Sequence, residues 1–244
     1  MKYKTVLITG ATGSIGEAIA EKFAVAGCNL LLNYCKSTQV AKDLKAKLDK
    51  FCHVEIFKAD VRNQTEIDAM YKFSKNAFGA VNAIINCAGC ALYGLLSEYT
   101  DSEIDQTINI NLTGTIKITR AFMQDLVSAK EGSIINISSI WGIVGASCES
   151  VYSATKAGVI VFTKALAKEL GPSNITVNCI APGFVNSKMN AQFNQDDVEN
   201  IIANTPLGRL ATVSDVARVA YFFASEDARC ITGQTLAVDG GFTL

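Results

Sequence analysis

Seven short apolar runs, each about as long as one β-strand, recur along the chain and are separated by segments with helical periodicity. Because these runs are continuously apolar rather than alternating, we expect each strand to be covered on both faces. Strands that alternate with crossover helices form a parallel sheet. The sequence therefore predicts an α/β fold with a doubly wound parallel sheet and helices on both faces. The predicted strands cover residues 5–9, 29–34, 53–57, 81–86, 133–138, 175–181 and 235–239.

Length and composition restrict the class of protein. The 244 residues are 49% hydrophobic and 18% charged, enough to bury one large core, so we expect residues 1–244 to form a single domain. A formal net charge of −1 argues against binding to nucleic acid. Every apolar run is far shorter than the roughly 18 residues that span a bilayer, so no membrane insertion and a cytoplasmic location are expected.

Cysteine and histidine usage limits the possible chemistry. The eight cysteines are expected to stay reduced in the cytosol. Cys87 and Cys90 form a C-x-x-C pair, but there is no second pair and His53 is the only histidine, so no metal site is predicted. A Ser-His-Asp site would need His53, which lies at the start of a predicted strand. Proton transfer is therefore expected from another type of residue.

Three glycines follow the first predicted strand and precede a helix in the segment TGATGSIG. Gly10, Gly13 and Gly16 would allow a tight turn, a close approach of pyrophosphate to the backbone, and packing of the helix on the strand. The first amides of a helix attract phosphate charge. This Rossmann-like arrangement predicts a dinucleotide site, to which the same loop contributes Thr12, Ser14 and Ile15.

The end of the second predicted strand bears on which nicotinamide cofactor binds. An acidic residue there normally accepts a bond from the adenosine 2′-hydroxyl group and repels a 2′-phosphate. Here the strand ends in the uncharged Asn33 and Tyr34, and Lys36 and Ser37 follow. We therefore expect NADP(H), with NAD(H) still possible because Lys36 would equally suit a solvated loop.

A tyrosine and a lysine lie four residues apart in the segment VYSATK, where Tyr152 and Lys156 share one face of a predicted helix. A nearby ammonium favours the phenolate, so we expect Lys156 to lower the pKa of Tyr152 toward the range of a general acid. Ser139, at the end of the preceding strand, could reach the same cleft. Tyr71 and Lys75 have the same spacing but are interpreted as an amphipathic helix surface.

Together these segments resemble the short-chain dehydrogenase/reductase family over essentially the whole chain. The resemblance rests on TGATGSIG, KADV, NCAG, NINLTG, NISS, YSATK, APGFVNSKM and ITGQTLAVDGG, in that order. It implies reduction of a ketone to a secondary alcohol, with Tyr152 as proton donor and Ser139 polarising the carbonyl oxygen. Lys156 would hold the nicotinamide ribose, and Asn111 would support a water relay to bulk solvent.

The resemblance also implies the remaining cofactor contacts. Asp60 would bond the adenine, Asn86 and Gly89 would line the adenosine ribose, and the PGFVNS segment would hold the carboxamide. The glycine loop, the 33–37 segment, Tyr152 and Lys156 have already been named as cofactor contacts. The further cofactor contacts that the resemblance implies are Asp60, Val61, Asn86, Ala88, Gly89, Pro182, Gly183, Val185 and Ser187.

Some positions depart from the family pattern. Ser14 replaces a glycine, and Gly13 stands where members that use NADPH often have a basic residue, which weakens the expectation of NADP(H). Cys87 replaces an asparagine, interpreted as a packing change. Ser187 replaces a threonine and keeps the hydroxyl group.

The whole-chain pattern resembles that of 3-oxoacyl-(acyl-carrier-protein) reductases, which implies a ketone carried by acyl carrier protein. That partner is acidic, so basic residues are expected near the mouth of the site. Lys130 would suit such a position, whereas Ser173 stands where many of these reductases have an arginine.

Residues 138–156 resemble a smaller branch, the elongation factor P 5-aminopentanone reductases, through Trp141, Cys148 and Glu149. In that case a carboxylate at Glu149 would pair with a substrate ammonium. Glu149 could equally favour the N-terminus of the following helix by charge–dipole attraction, and Cys148 could simply pack in its loop. The predicted partner is therefore a ketone borne either by acyl carrier protein or by modified elongation factor P.

Two expectations concern the whole protein. The helical segments 113–130 and 151–170 are apolar on more than one face, which favours a homodimer or homotetramer, although the sheet alone could cover them. The alternative to an enzymatic function is a non-catalytic protein that senses NADP(H) or holds a partner protein. It is disfavoured because the four predicted catalytic residues are all present.

Overall fold

Seven parallel strands form one sheet in the order β3-β2-β1-β4-β5-β6-β7 in the computed structural model, which describes residues 4–185 and 195–244. Every strand pairing in it is parallel, so the predicted doubly wound sheet is confirmed. The bounds lie within two residues of the predicted runs. The strands are Thr5–Ile8 (β1), Asn29–Tyr34 (β2), Val54–Lys58 (β3), Ala83–Asn86 (β4), Gly132–Ile137 (β5), Ile175–Pro182 (β6) and Thr235–Val238 (β7).

Helices connect the strands and cover both faces of the sheet. A π-helical segment, Asn109–Gly114, joins α4 to α5. None of the helices within the described ranges has the length and apolar character needed to cross a membrane. The α-helices are Ser14–Val25 (α1), Thr38–Leu48 (α2), Gln64–Phe78 (α3), Asp101–Ile108 (α4), Thr115–Ala129 (α5), Trp141–Val144 (α6), Ser150–Leu170 (α7), Gln195–Ala203 (α8) and Val213–Ala224 (α9).

The hydrophobic core lies in two layers, one on each face of the sheet. Successive side chains of a strand point to opposite faces, so Val6 and Ile8 of β1 contact one layer and Leu7 contacts the other. The first layer includes residues of α1, α2 and α9, and the second includes residues of α3, α5 and α7. Coverage of both faces explains why the strands are continuously apolar.

The strand order places the predicted site residues along one edge of the sheet. The order reverses at β1, with β2 on one side and β4 on the other, and ligands of such sheets bind beyond the carboxyl ends of the strands at that point. The predicted site segments follow these carboxyl ends. Lys130 and Ser173 instead precede β5 and β6, at the opposite edge. The expectation that Lys130 lies at the mouth of its own chain's site is therefore wrong.

Tyr71 and Lys75, which repeat the spacing of the predicted catalytic pair, bind a buried carboxylate. The Tyr71 hydroxyl group and the Lys75 ammonium both donate to Asp125 Oδ1, at 2.8 and 3.0 Å. The backbone N–H of Val81 donates to the other oxygen at 2.9 Å. The sequence suggested only an amphipathic helix surface for this pair. In the structure its two hydrogen bonds to Asp125 link α3 to α5.

Candidate active site

Strand β5 and helix α7 bring three of the predicted catalytic side chains together. Ser139 follows β5, and its hydroxyl group is hydrogen-bonded to that of Tyr152 on the first turn of α7. One turn later, Lys156 Nζ lies 5.6 Å from the centre of the Tyr152 ring and donates to the Ile137 carbonyl oxygen at 2.9 Å. All three side chains are buried. The spacing read from the sequence thus becomes one cluster at the end of β5.

Two small residues fix α7 against the end of β5, and sequence reasoning missed both. Ser138 Oγ donates to the Lys156 carbonyl oxygen at 2.8 Å. A β-carbon added at Gly142, in α6, would lie 2.7 Å from the Lys156 carbonyl carbon, so the two helices pack backbone to backbone. The run of small residues in this part of the sequence was the available signal.

Asn111 lies in the π-helical segment and is 1% exposed. Its side chain accepts from the Cys90 N–H and donates to the Cys90 carbonyl oxygen, both at 2.9 Å. It also donates to Thr155 Oγ1 at 3.2 Å, and Thr155 Oγ1 donates to the Tyr152 carbonyl oxygen at 2.7 Å. Asn111 therefore links the loop after β4 to the turn of α7 that carries Tyr152, and such π-helical turns are frequent at functional sites.

Burial dominates the electrostatics of the cluster. It raises the pKa of Tyr152 to about 12, although the hydrogen bond from Ser139 acts in the opposite direction. Burial also lowers the pKa of Lys156. The expected lowering of the Tyr152 pKa by Lys156 is therefore not observed, because each buried group favours its neutral form. The Tyr152 phenol stays protonated at neutral pH, as a proton donor must.

The glycine loop has the shape that a pyrophosphate needs. Gly10 has a φ of +63°, and a β-carbon there would lie 2.7 Å from the Ala88 Cα atom. A β-carbon at Gly16 would lie 2.4 Å from the Gly10 carbonyl oxygen. At Gly13 it would meet only that oxygen, at 3.3 Å, which leaves space above the start of α1. Thr12, Ser14 and Ile15 lie in this turn, whose first helical amides suit an anion.

The loop after β4 forms the floor between the glycine loop and Lys156. Thr9 Oγ1 accepts from the N–H groups of Cys87 and Ala88, both at 3.1 Å, which holds this loop beside Gly10. A β-carbon at Gly89 would lie 3.2 Å from Asn111 Oδ1 and 3.4 Å from Lys156 Nζ, so glycine lets the backbone approach both side chains closely. The loop after β4 therefore lies directly beside Lys156 and Asn111.

Asn86 does not present its side chain to this floor. It is 3% exposed, and its amide donates to Thr119 Oγ1 at 2.9 Å and to Asn136 Oδ1 at 2.8 Å. Its own Oδ1 atom is buried without a hydrogen-bond partner among the described residues. The geometry gives Asn86 a place in a polar network inside the protein, and the predicted contact of its side chain with a ribose gains no support.

The residues predicted for the adenosine end of the site lie at or just after the ends of β2 and β3. Tyr34 and Val61 are buried, and the Asn33 amide donates to the Ala59 carbonyl oxygen at 2.9 Å, so these side chains hold the strand ends together. Lys36 and Ser37 are exposed beside them.

Arg62, which sequence reasoning missed, neutralises Asp60. Its Nε and Nη2 atoms donate to the Asp60 carboxylate at 3.0 and 2.6 Å. This hydrogen bonding lowers the pKa of Asp60. The position of Arg62 two residues after Asp60 was the sequence signal that could have indicated this ion pair.

The segment after β6 approaches the C-terminal residues. A β-carbon at Gly183 would lie 2.6 Å from the Asp239 Cβ atom, so this position admits only glycine. The Pro182 carbonyl oxygen accepts from the Ile140 N–H at 3.0 Å, which joins the segment to the turn after Ser139. Val185 is buried and forms a bridge with Ala211. Ser187, predicted to hold the carboxamide, lies outside the described residues.

Trp141 and Glu149 are paired beside Tyr152. The Trp141 side chain is hydrogen-bonded to the half-buried Glu149 carboxylate, and the Trp141 backbone N–H donates to Ser139 Oγ at 3.2 Å. Glu149 occupies the N-cap position of α7, but its side chain makes no capping hydrogen bond. Burial raises the pKa of Glu149, and its charge in turn raises the pKa of Tyr152. The carboxylate therefore lies close enough to Tyr152 for its charge to act on the phenol.

Cys148, the third predicted substrate contact, lies in a strained loop. Its φ of +61° is unusual for a residue with a side chain. Its carbonyl oxygen accepts from the Gly94 N–H at 2.8 Å and from the Tyr99 hydroxyl group at 3.0 Å. These bonds favour the interpretation of Cys148 as a loop-packing residue.

Cys87 and Cys90 are neutral thiols. Burial raises the pKa of Cys87 to about 12 and also raises that of Cys90. Within residues 4–185 and 195–244, no group of three or more histidine, cysteine, aspartate or glutamate side chains could hold a metal ion.

Replacing Glu149 by glutamine is expected to raise the melting temperature at neutral pH. Because burial raises the Glu149 pKa, the folded protein disfavours the charged form, and stability is lost as the pH rises through that pKa. Glutamine keeps an oxygen for Trp141 without the charge. Melts at about pH 7.5 and about pH 4 should show a gain that shrinks in acid. A lower melting temperature for the variant at neutral pH would contradict this account.

Comparisons with known proteins agree with this geometry. A family model described as Enoyl-(Acyl carrier protein) reductase matches residues 10–243. The uncharacterized oxidoreductase YmfI of Bacillus subtilis is 39% identical over 241 residues, which cover 98% of each chain.

Two further relatives match over nearly their whole length. The 3-oxoacyl-[acyl-carrier-protein] reductase FabG of Staphylococcus aureus is 37% identical over 98% of this chain and 97% of its own. Nodulation protein G of Rhizobium sp. strain N33 is 36% identical over 99% of this chain and 97% of its own. The chain therefore belongs to the short-chain dehydrogenase/reductase family of NAD(P)-dependent oxidoreductases.

Proposed function

We propose that this protein is an NADP(H)-dependent ketoreductase that reduces a ketone to a secondary alcohol with Tyr152 as the proton donor. The observation that carries the proposal is the Tyr152 hydroxyl group, which is protonated at neutral pH and hydrogen-bonded to Ser139 at the end of β5. Lys156 lies beneath the same ring. A non-catalytic role would not need a buried ammonium and a buried phenol held side by side.

The two hydroxyl groups would act on the carbonyl oxygen of the substrate. Ser139 would donate a hydrogen bond to that oxygen and hold it beside Tyr152, which would transfer its proton as negative charge develops. When bound, the reduced nicotinamide ring supplies the hydride for the carbonyl carbon. Orientation of the ketone between these donors is the main contribution of the chain.

Lys156 and Asn111 would prepare Tyr152 for the next cycle. Once Tyr152 has given up its proton, the phenolate lies near the Lys156 ammonium, which stabilises it until a proton returns. Asn111 would support a water relay that supplies this proton. Its bonds to the Cys90 backbone and to Thr155 hold the loop after β4 in place for that role.

The glycine loop, Gly89, Lys156 and Gly183 would hold the dinucleotide along the carboxyl edge of the sheet. The preference for NADP(H) rests on the charges at the adenosine end. Lys36 and Ser37 are exposed after β2, no acidic residue ends that strand, and Arg62 neutralises Asp60. This local excess of positive charge would attract a 2′-phosphate.

The first candidate substrate is a 3-oxoacyl group on acyl carrier protein, as in fatty acid biosynthesis. The similarity to the FabG protein of Staphylococcus aureus supports it, because that protein's name describes the same reaction. The positions of Lys130 and Ser173 supply no docking site for an acidic carrier beside the chain's own cleft.

The second candidate is a ketone that carries an ammonium group, such as 5-aminopentanone-modified elongation factor P. Glu149 favours it, because its carboxylate is half-buried and its charge adds to the effect of burial in raising the pKa of Tyr152. No lysine or arginine in the described part of the chain forms an ion pair with it. A substrate ammonium would compensate this charge, whereas an acyl chain would not.

A cytoplasmic homodimer or homotetramer is proposed as the working form. Large apolar side chains are exposed on, or directly before, the two helices for which the sequence analysis predicted a subunit interface. Ile116 on α5 is 39% exposed, Val161 on α7 is 64% exposed, and Ile108 at the end of α4 is 37% exposed. A second copy would cover this surface.

Replacing Tyr152 by phenylalanine is expected to lower kcat for ketone reduction by about 10²–10⁴-fold, because it removes the proton donor. Tyr71→Phe is the matched control, since it removes a phenol with the same lysine spacing from a structural network. That control should keep its kcat and lose about 1 kcal/mol of stability. Equal activity of wild type and Tyr152→Phe would overturn the proposed role.

The cofactor preference is tested by Lys36→Ala. We expect the KM for NADPH to rise about tenfold and the KM for NADH to change little, because only NADPH carries the 2′-phosphate. Lys42→Ala is the control, since Lys42 is an exposed lysine on α2 that is not among the predicted cofactor contacts. An equal effect of Lys36→Ala on both cofactors, or tighter binding of NADH by the wild type, would show that the assignment is wrong.

The Glu149→Gln variant distinguishes between the two candidate substrates. If the substrate is cationic, this change should raise the KM for modified elongation factor P at least about tenfold and leave reduction of acetoacetyl thioester unaffected. Steady-state assays with both substrates and NADPH measure this. Efficient reduction of the thioester, with modified elongation factor P left untouched, would favour the first candidate.

A further inference from the structure

The C-terminal turn, residues 239–244, is tightly held. Asp239 accepts from the N–H groups of Gly241 and Thr243, both at 3.0 Å, and from the Thr243 hydroxyl group at 2.6 Å. Gly240 and Gly241 have φ angles of +69° and +91°, which favour glycine. The Leu207 N–H donates to the Gly240 carbonyl oxygen at 3.1 Å. The turn therefore has a fixed conformation close to the chain end.

This conformation directs Phe242 toward two other aromatic rings. The ring of Phe242 lies 6.2 Å from that of Trp141 and 5.7 Å from that of Phe184, and the last two lie 5.5 Å apart. The interplanar angles are between 75° and 84°, an edge-to-face arrangement. We call these three residues the aromatic trio.

The aromatic trio adjoins the catalytic hydroxyl groups and lies outside the core. The Trp141 backbone donates to Ser139 Oγ, and its side chain is bonded to Glu149 beside Tyr152. Phe184 directly follows Gly183, the position that packs on Asp239. None of the three rings belongs to the apolar clusters on the faces of the sheet, and all three are only half-buried.

Partly exposed rings that touch each other beside a catalytic centre suit an apolar group of a ligand. We propose that Phe242 is a specificity-determining residue, whose ring closes an apolar wall against the group attached to the substrate carbonyl. The wall admits a small or unbranched substituent and excludes a ring at that position. This inference rests on the proposed ketoreductase function, and it applies to either candidate substrate.

The test compares ethyl acetoacetate, which has a methyl group on the ketone, with ethyl benzoylacetate, which has a phenyl group. Removing the Phe242 side chain leaves space of about one ring, and an apolar cavity of that size accepts a benzene-like group. In Phe242→Ala the ratio of kcat/KM for the phenyl ketone over the methyl ketone should rise about tenfold or more. Phe242→Leu should give an intermediate ratio, and melting temperatures show whether each variant folds.

Phe222→Ala is the matched control, because Phe222 is a partly exposed phenylalanine on α9 whose ring contacts Phe223. It should leave the ratio unchanged. If folded Phe242→Ala and Phe242→Leu both keep the wild-type ratio, the proposed wall is refuted.

Trp141 is the only tryptophan, so its fluorescence reports binding at the wall without turnover. Titration with ethyl benzoylacetate should change the fluorescence of Phe242→Ala at concentrations at least about tenfold lower than in the wild type. Tighter binding without reduction of either ketone would support the wall and count against the ketoreductase function. Equal binding by the wild type and both Phe242 variants would overturn the wall.

Discussion

The hydrogen bond from Ser138 to the Lys156 carbonyl oxygen, together with the backbone contact at Gly142, fixes helix α7 against the end of β5. Ser139 and Tyr152 come from different elements, and their hydroxyl groups meet only if this contact sets the distance between the two. The same contact places Lys156 so that it reaches the Ile137 carbonyl oxygen. The geometry of the proposed reaction therefore depends on two residues, Ser138 and Gly142, that take no direct part in the reaction.

Burial rather than charge pairing sets the protonation of the site. The sequence suggested that an ammonium one turn away makes the phenol acidic, and this would hold for a solvated pair. Inside the protein the loss of water outweighs that attraction, so the pKa of Tyr152 rises to about 12 and that of Lys156 falls. A neutral phenol is the form that ketone reduction requires. In the proposed reaction the ammonium would act after the proton has left, when the phenolate needs a counter-charge.

The substrate side of the cleft combines an acidic group with an apolar wall. Trp141 connects them, because its side chain is bonded to Glu149 and its ring contacts Phe184 and Phe242. These residues come from three segments that are distant in the sequence. No local pattern in the chain indicated that the C-terminal turn contributes to this wall, since Phe242 is distant in the sequence from Trp141 and Phe184.

The sequence by itself determined the strand count and the alternation with helices, because continuous apolar runs and glycine turns are local signals, and it predicted where the candidate site lies. It also predicted Tyr152 and Lys156 as the candidate catalytic pair, but it did not recognise that Tyr71 and Lys75 hold the buried Asp125. Only the tertiary structure decided the inward position of Asn86 and the high pKa of Tyr152. Each of these depends on which distant groups pack together and how much water they exclude. The spacing of residues along the sequence determines neither.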